Sequence, residues 1–178
     1  AHTLLQLNSG HELVILEMGA RKVGDIAYLA TIAQPTVSLI TGVASVHLET
    51  FGDCDTIAAT KGEIYRALGR TGTAVLNVED VYAPYWLTII PTDHIVTFAW
   101  QAKADVTCNF AGYQQHHLHL SLQNAAGEIE VNLQLLGKHN VQNALAATAV
   151  AMVVGFNNAE IKQGLESMQA VPRRMQYI

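Results

Sequence analysis

Short, unbroken apolar runs alternating with segments of helical period constrain this chain more than anything else in it. Leu13-Val14-Ile15-Leu16, Val37 to Ile40 and Ala74-Val75-Leu76 each end at a polar residue: Glu17, Thr41-Gly42 and Asn77 respectively. Apolar runs of this kind, without alternation, suit strands covered on both faces. Two stretches of helical character separate them. Gly24 to Ala33 is stopped by Gln34-Pro35, since proline bars a helix from continuing. Asp55 to Leu68 places Ile57, Ile64 and Leu68 on one stripe, offers Asp53 or Asp55 as N-cap, and is closed by Gly69 and Gly72. Strand–helix alternation predicts a parallel sheet flanked by helices.

The texture changes near residue 94. Ile95 to Trp100, Asp105 to Phe110, Leu118 to Gln123 and Glu128 to Gln134 read as short antiparallel strands. The last two alternate apolar and polar residues and flank Asn124-Ala125-Ala126-Gly127, a hairpin turn. Helices are expected from Lys138 to Val154, stopped by Gly155, and from Ala159 to Met168, with Asn157 and Glu160 spaced as a capping pair. The expected fold class is α/β: a mainly parallel sheet with helices around it and an antiparallel β portion added in the second half.

Composition narrows the function. Half of the 178 residues are hydrophobic and 14% are charged, which supplies a core and excludes wholesale disorder. The net charge is −5, and the ten Lys and Arg residues are scattered without a run. Neither a nucleic-acid groove nor a polybasic membrane patch is expected. The longest mostly apolar stretch, Ala144 to Phe156, is interrupted by Thr148 and is too short to span a bilayer. Cys54 and Cys108 fall in no CxxC pattern, and the N-terminus lacks the layout of a signal peptide. A soluble, cytoplasmic protein is expected, with no nucleic-acid partner and no membrane insertion.

Three polar residues stand out. Glu17 ends an apolar run, the edge at which open α/β sheets place their ligands, although a carboxylate there can equally point into solvent. His47 follows the second run and could reach the same edge or lie on the surface. Lys61 shares the apolar stripe of Ile57, Ile64 and Leu68. It either snorkels to water or is held buried. Burial lowers a lysine's pKa, and the neutral amine can react with carbon dioxide to give a carbamate. A carbamate offers anionic oxygens, which with Glu17 and His47 would suit a hard ion such as Mg²⁺. His117 and His119 share a strand face but make a poor zinc site without a third ligand, and His116 adds little. The chain contains no GxSxG, no HExxH and no glycine-rich phosphate loop.

Four blocks, in order, resemble the Mur ligases: Glu17-Met18-Gly19-Ala20 with Gly24-Asp25-Ile26; His47-Leu48-Glu49-Thr50-Phe51-Gly52; Lys61-Gly62-Glu63-Ile64; and the run from Gly137-Lys138-His139-Asn140 through Asn143 to Ala147. These are ATP-dependent amide ligases of peptidoglycan biosynthesis. The form of the first two blocks is similar to the members that join D-alanyl-D-alanine to UDP-N-acetylmuramoyl-tripeptide. The resemblance implies ATP and Mg²⁺ as cofactors. It implies Glu17 and His47 as Mg²⁺ ligands and Lys61 as the carbamylated lysine that holds a second Mg²⁺. It implies that Asn140 and Asn143 lie near the adenine and that Arg174 reaches the γ-phosphate. Thr41 to Ala44 and Asn77 would border the same cleft, and Asn140 could also act as a helix N-cap. Arg173 stands where relatives commonly carry glycine. Residues 1–172 are then expected to form most of a central ATP-binding domain, with the P-loop and a substrate-gripping domain preceding it. Residues 173–178 would begin the junction to a C-terminal domain. Without those parts the chain is expected to be inactive. Two other readings stay open: an isolated, non-catalytic domain, and an amide ligase of the folylpolyglutamate or cyanophycin type, against which the Glu-Met-Gly-Ala form argues.

Overall fold

A computed structural model describes residues 2–43, 51–114 and 117–169. His47, His116, Arg173, Arg174 and Ala44 lie outside the described residues. Among the described residues six strands form one sheet in sequence order: β1 Val37–Leu39, β2 Thr73–Asn77, β3 Ile95–Ala99, β4 Val106–Gln114, β5 His117–Asn124 and β6 Gly127–Leu133. The described helices are α1 His2–Leu5, α2 Asp25–Ala33, α3 Cys54–Arg66, α4 Ala83–Leu87, α5 Lys138–Val153 and α6 Asn158–Glu166. β1 to β4 pair in parallel, and β4–β5 and β5–β6 are antiparallel. The expected α/β architecture with an antiparallel end is thus the one observed.

The sheet is covered on both sides, which explains the unbroken apolar run of β2. Ala74 and Leu76 face one cluster with Ala58 and Tyr65 of α3 and with Ala83 and Trp86 of α4. Val75 faces the other, with Val141 and Leu145 of α5 and Ile161 of α6. Local signals set the helix ends. Asp53 caps α3 by accepting the Thr56 N–H at 2.6 Å. Asn157 and Glu160 close a full capping box at α6. Gly155, at φ 95°, takes the left-handed conformation just beyond α5.

Three expectations need correction. Ile95–Ala99 is parallel to both neighbours, and the start of β4 is parallel to β3. The register explains why no crossover helix is needed: β4 begins beside the last two residues of β3, at Phe98↔Val106 and Ala99↔Thr107, and runs on in the same direction. A short jog therefore replaces a hairpin. Second, Leu13-Val14-Ile15-Leu16 forms no strand. It has no ladder partner among the described residues, and Ile15 is 91% exposed. An apolar run records what its side chains require, whereas a strand also needs a neighbour to satisfy its backbone. Third, Asn140 is not the N-cap of α5. That position belongs to Gly137 at φ 106°, while the Asn140 side chain donates back to the Leu136 carbonyl at 2.8 Å.

Candidate nucleotide and metal site

The loops after β1 and β2 meet the middle of α3 at the carboxyl edge of the parallel strands, where open α/β sheets bind ligands. Lys61 is half-buried, and its ammonium Nζ donates to the Gly42 carbonyl. Burial lowers its pKa from the ordinary lysine value, and the negative charge of Asp80 opposes that shift. Asp80 is fixed by the Tyr82 N–H, which donates to its Oδ1 at 2.9 Å. Its Oδ2 lies 3.8 Å from where a Cβ on Gly42 would stand. Gly42 has φ 150°, so a side chain there would be strained as well as close to that carboxylate. Beneath them Tyr65 ties α3 to both strands: its hydroxyl donates to the Val75 carbonyl at 2.7 Å and accepts the Ile40 N–H at 3.3 Å. Burial pushes that phenol's pKa well up. Asn77, buried at the end of β2, accepts the Glu79 N–H at 3.0 Å and so shapes the loop that presents Asp80.

A second feature lies at α5 and α6. A cavity of about 800 Å³ opens between them and the end of β6, with mostly apolar walls that include Leu135, Ala147, Phe156 and Met168. Asn140 and Asn143 supply polar groups to it. One helical turn apart on one face, they are joined by a 3.1 Å bond from Asn143 Nδ2 to Asn140 Oδ1. An apolar slot with a few amide groups is the kind of lining that holds a planar heterocycle.

Of the residues singled out in the sequence, Lys61, Asn77 and Thr41 to Val43 belong to one edge, and Asn140 and Asn143 to the cavity. Glu17 is exposed in the irregular segment before α2, and no hydrogen bond or ion pair joins it to Lys61. His119 is held between Glu130 Oε2 at 2.8 Å and Asn132 Oδ1 at 2.9 Å. Among the described residues no group of three or more His, Cys, Asp or Glu side chains could hold a metal. Sequence reasoning missed Asp80 and the Gly42 carbonyl. The position of Asp80, three residues past the strand-ending Asn77, was the available signal.

Residues 1–151 match the family model described as Mur ligase middle domain. The chain is similar to UDP-N-acetylmuramoyl-tripeptide–D-alanyl-D-alanine ligase of Haemophilus influenzae, at 37% identity over 97% of this chain and 37% of that protein. A crystal structure of MurF from Acinetobacter baumannii superposes with a TM-score of 0.92 and 32% identity, covering 98% of this chain and 38% of the other. MurF ligase from Thermotoga maritima in complex with ADP gives a TM-score of 0.76 and 26% identity over 88% and 36%. The chain thus spans less than two-fifths of the length of these relatives. No described helix is long and apolar enough to cross a membrane.

Proposed function

Because the chain belongs to the Mur ligase family, as its middle domain, we propose that it is the central ATP-binding part of a D-alanyl-D-alanine-adding ligase. The substrates would be UDP-N-acetylmuramoyl-tripeptide and D-alanyl-D-alanine, the setting cytoplasmic peptidoglycan biosynthesis. Residues 1–172 form most of that domain and residues 173–178 start the junction to the next. A P-loop segment, an N-terminal domain and a C-terminal domain of the same enzyme complete the site. The observation that carries the reading is Lys61: a half-buried lysine, held by the Gly42 carbonyl at the sheet edge, in a chain similar to these ligases along nearly its whole length.

In this reading ATP phosphorylates the terminal carboxylate of the tripeptide. The amine of D-alanyl-D-alanine then attacks the acyl phosphate and phosphate leaves. Mg²⁺, when bound, neutralises the charge that accumulates between triphosphate and carboxylate. Glu17, His47 and carbamylated Lys61 would supply its protein ligands. The neighbouring Asp80 shapes the field in which Lys61 exchanges ammonium for carbamate. Asn140 and Asn143 hold the adenine at one end of the cavity between α5 and α6, and Arg174 meets the γ-phosphate.

Lys61 tests the reading in the full-length enzyme. Lys61→Ala is expected to lower amide formation roughly a thousandfold, and formate or acetate should restore part of it by filling the vacated oxygen position. Lys61→Arg should not substitute, because guanidinium stays cationic and cannot form a carbamate. An active arginine variant without carboxylate rescue would instead make Lys61 a cation acting on phosphate.

A further inference from the structure

Glu63 is a buried carboxylate, 9% exposed, two residues beyond Lys61 on α3. At helical pitch their side chains diverge by about 200°, so α3 turns Lys61 toward the sheet edge and Glu63 toward α2. There the Gly24 N–H donates to Glu63 Oε1 at 2.8 Å and the Ala27 N–H donates to Oε2 at 2.9 Å. The N-cap of α2 is Gly24, which has no side chain to cap with. Glu63 therefore serves the open helix end from another helix, with a negative charge at the favourable pole of the dipole. A second carboxylate continues the chain of bonds. Asp25, at the first position of α2, accepts the Arg21 N–H at 2.9 Å and the Lys22 N–H at 3.1 Å. Only Met18-Gly19-Ala20 then separate Glu17 from a tethered backbone group.

We propose that Glu63 is a positioning residue for the metal site: with Asp25 as the second link, it fixes the segment bearing Glu17 against the helix bearing Lys61. The ion then meets two preset ligands instead of having to order the exposed segment itself. This rests on the reading of Glu17 and Lys61 as Mg²⁺ ligands. It needs no contact between Glu63 and the ion. The side chain acts on where Glu17 stands, as outer carboxylates orient ligands in other metal sites.

The test uses the full-length enzyme and Mn²⁺ as a spectroscopic stand-in, with free Mn²⁺ measured by electron paramagnetic resonance and the Mg²⁺ dependence of turnover measured in parallel. Glu63→Gln keeps the shape but places an amide against one of the two N–H donors. It is expected to weaken Mn²⁺ binding about tenfold, to raise the Mg²⁺ concentration for half-maximal rate by a similar factor, and to leave kcat at saturating Mg²⁺ close to that of the parent. Asp25→Asn should shift both in the same direction by a smaller factor. Because the Asp25 bonds to Arg21 and Lys22 lie at the surface, that variant decides the matter if Glu63→Gln fails to fold. Unchanged Mn²⁺ affinity in the folded variants would overturn the proposal and leave Glu63 a structural tether. Glu17→Ala separates the two levels: if it weakens Mn²⁺ binding while Glu63→Gln does not, only the positioning role falls. If Glu17→Ala also binds Mn²⁺ like the parent, the ligand reading falls with it.

Discussion

At the antiparallel end of the sheet each strand finds its partner in the next stretch of chain: β5 and β6 are joined by the turn at Ala125-Ala126, and their inner faces bury Leu118, Leu120, Leu122, Ile129 and Val131. At the parallel end β1 reaches β2 only across all of α3, at Val37↔Thr73, and among the described residues it pairs on one side alone. The apolar run Leu13 to Leu16 finds no ladder there. Yet Lys61, Gly42, Asp80 and Asn77 all gather at this less complete end. Parallel strands bring loops from distant parts of the chain to one edge, which suits them to build a site. Hairpins spend their loops on joining neighbours. The antiparallel end therefore contributes cohesion and one wall of the cavity, while the parallel end gathers the polar groups around Lys61.

Paired truncations break that comparison most directly. Leu120 is fully buried in β5, so Leu120→Ala should cost about 3 kcal/mol through lost burial and the cavity it leaves. Ile15→Ala, an equally large apolar loss on paper, should shift stability in the isolated chain by less than about 0.5 kcal/mol because the side chain is already in water. Urea unfolding reads both. A large loss at Ile15 would mean that the run from Leu13 to Leu16 is covered after all.

The joint between the two halves should show an intermediate effect with a distinctive pH dependence. Glu79, from the loop after β2, accepts N–H bonds from Trp100, Gln101 and Ala102, at 2.8, 2.6 and 2.9 Å, and so holds the jog from β3 to β4. Burial works against its charge, but the three N–H groups together outweigh it and hold the carboxyl below its ordinary value of 4.5. A carboxyl with a depressed folded pKa adds stability above its unfolded pKa and loses it as pH falls through the folded value. Because the Glu79 side chain is exposed, solvent screening trims this contribution, and Glu79→Gln should cost about 1–1.5 kcal/mol at neutral pH. The difference from the parent should shrink as pH falls below the ordinary value of 4.5. A constant difference across that range would remove the charge from the explanation.

How far each half could be read from sequence follows the same division. The alternation in β5 and β6 and the turn between them are local signals, and strand, register and turn all appear where the residues put them. The helix ends behave likewise: Asp53, Gly155 and the Asn157–Glu160 pair each act within a few residues. Where the structure departs, the cause is non-local. The parallel pairing of β3 depends on β4 starting beside its end, which no periodicity within Ile95–Ala99 encodes. The run ending at Glu17 depends on a partner strand that its own residues cannot report. At the site, the stripe of Ile57, Lys61, Ile64 and Leu68 left open whether Lys61 snorkels or is buried, and the structure holds it half-buried. The Gly42 carbonyl that receives it and the Asp80 carboxylate beside it come from two other loops. Glu63 reads in sequence as an ordinary helical glutamate, and only the approach of α2 gives it two N–H groups to hold.

The smallest loss expected from a hydrogen-bonded device tests whether a wholly local one contributes as much as its geometry suggests. Asn157 Oδ1 accepts the Ala159 N–H at 2.9 Å and the Glu160 N–H at 3.1 Å, and Glu160 Oε2 accepts the Asn157 N–H at 2.8 Å. These bonds serve donors that the first turn of α6 would otherwise leave to water. Asn157→Ala should cost about 1 kcal/mol, and Asn157→Ser should recover most of it, since a hydroxyl accepts the same N–H bonds. Glu160→Ala removes the reciprocal half. Because the two side chains support one turn, the double variant should cost less than the two single losses added together. Strict additivity in urea unfolding would mean that the reciprocal geometry carries no coupling. A loss confined to Asn157 would reduce the box to a single cap. Either result would leave α6, and with it the wall of the cavity formed by Ile161 and Gly164, held chiefly by its packing on the antiparallel end of the sheet.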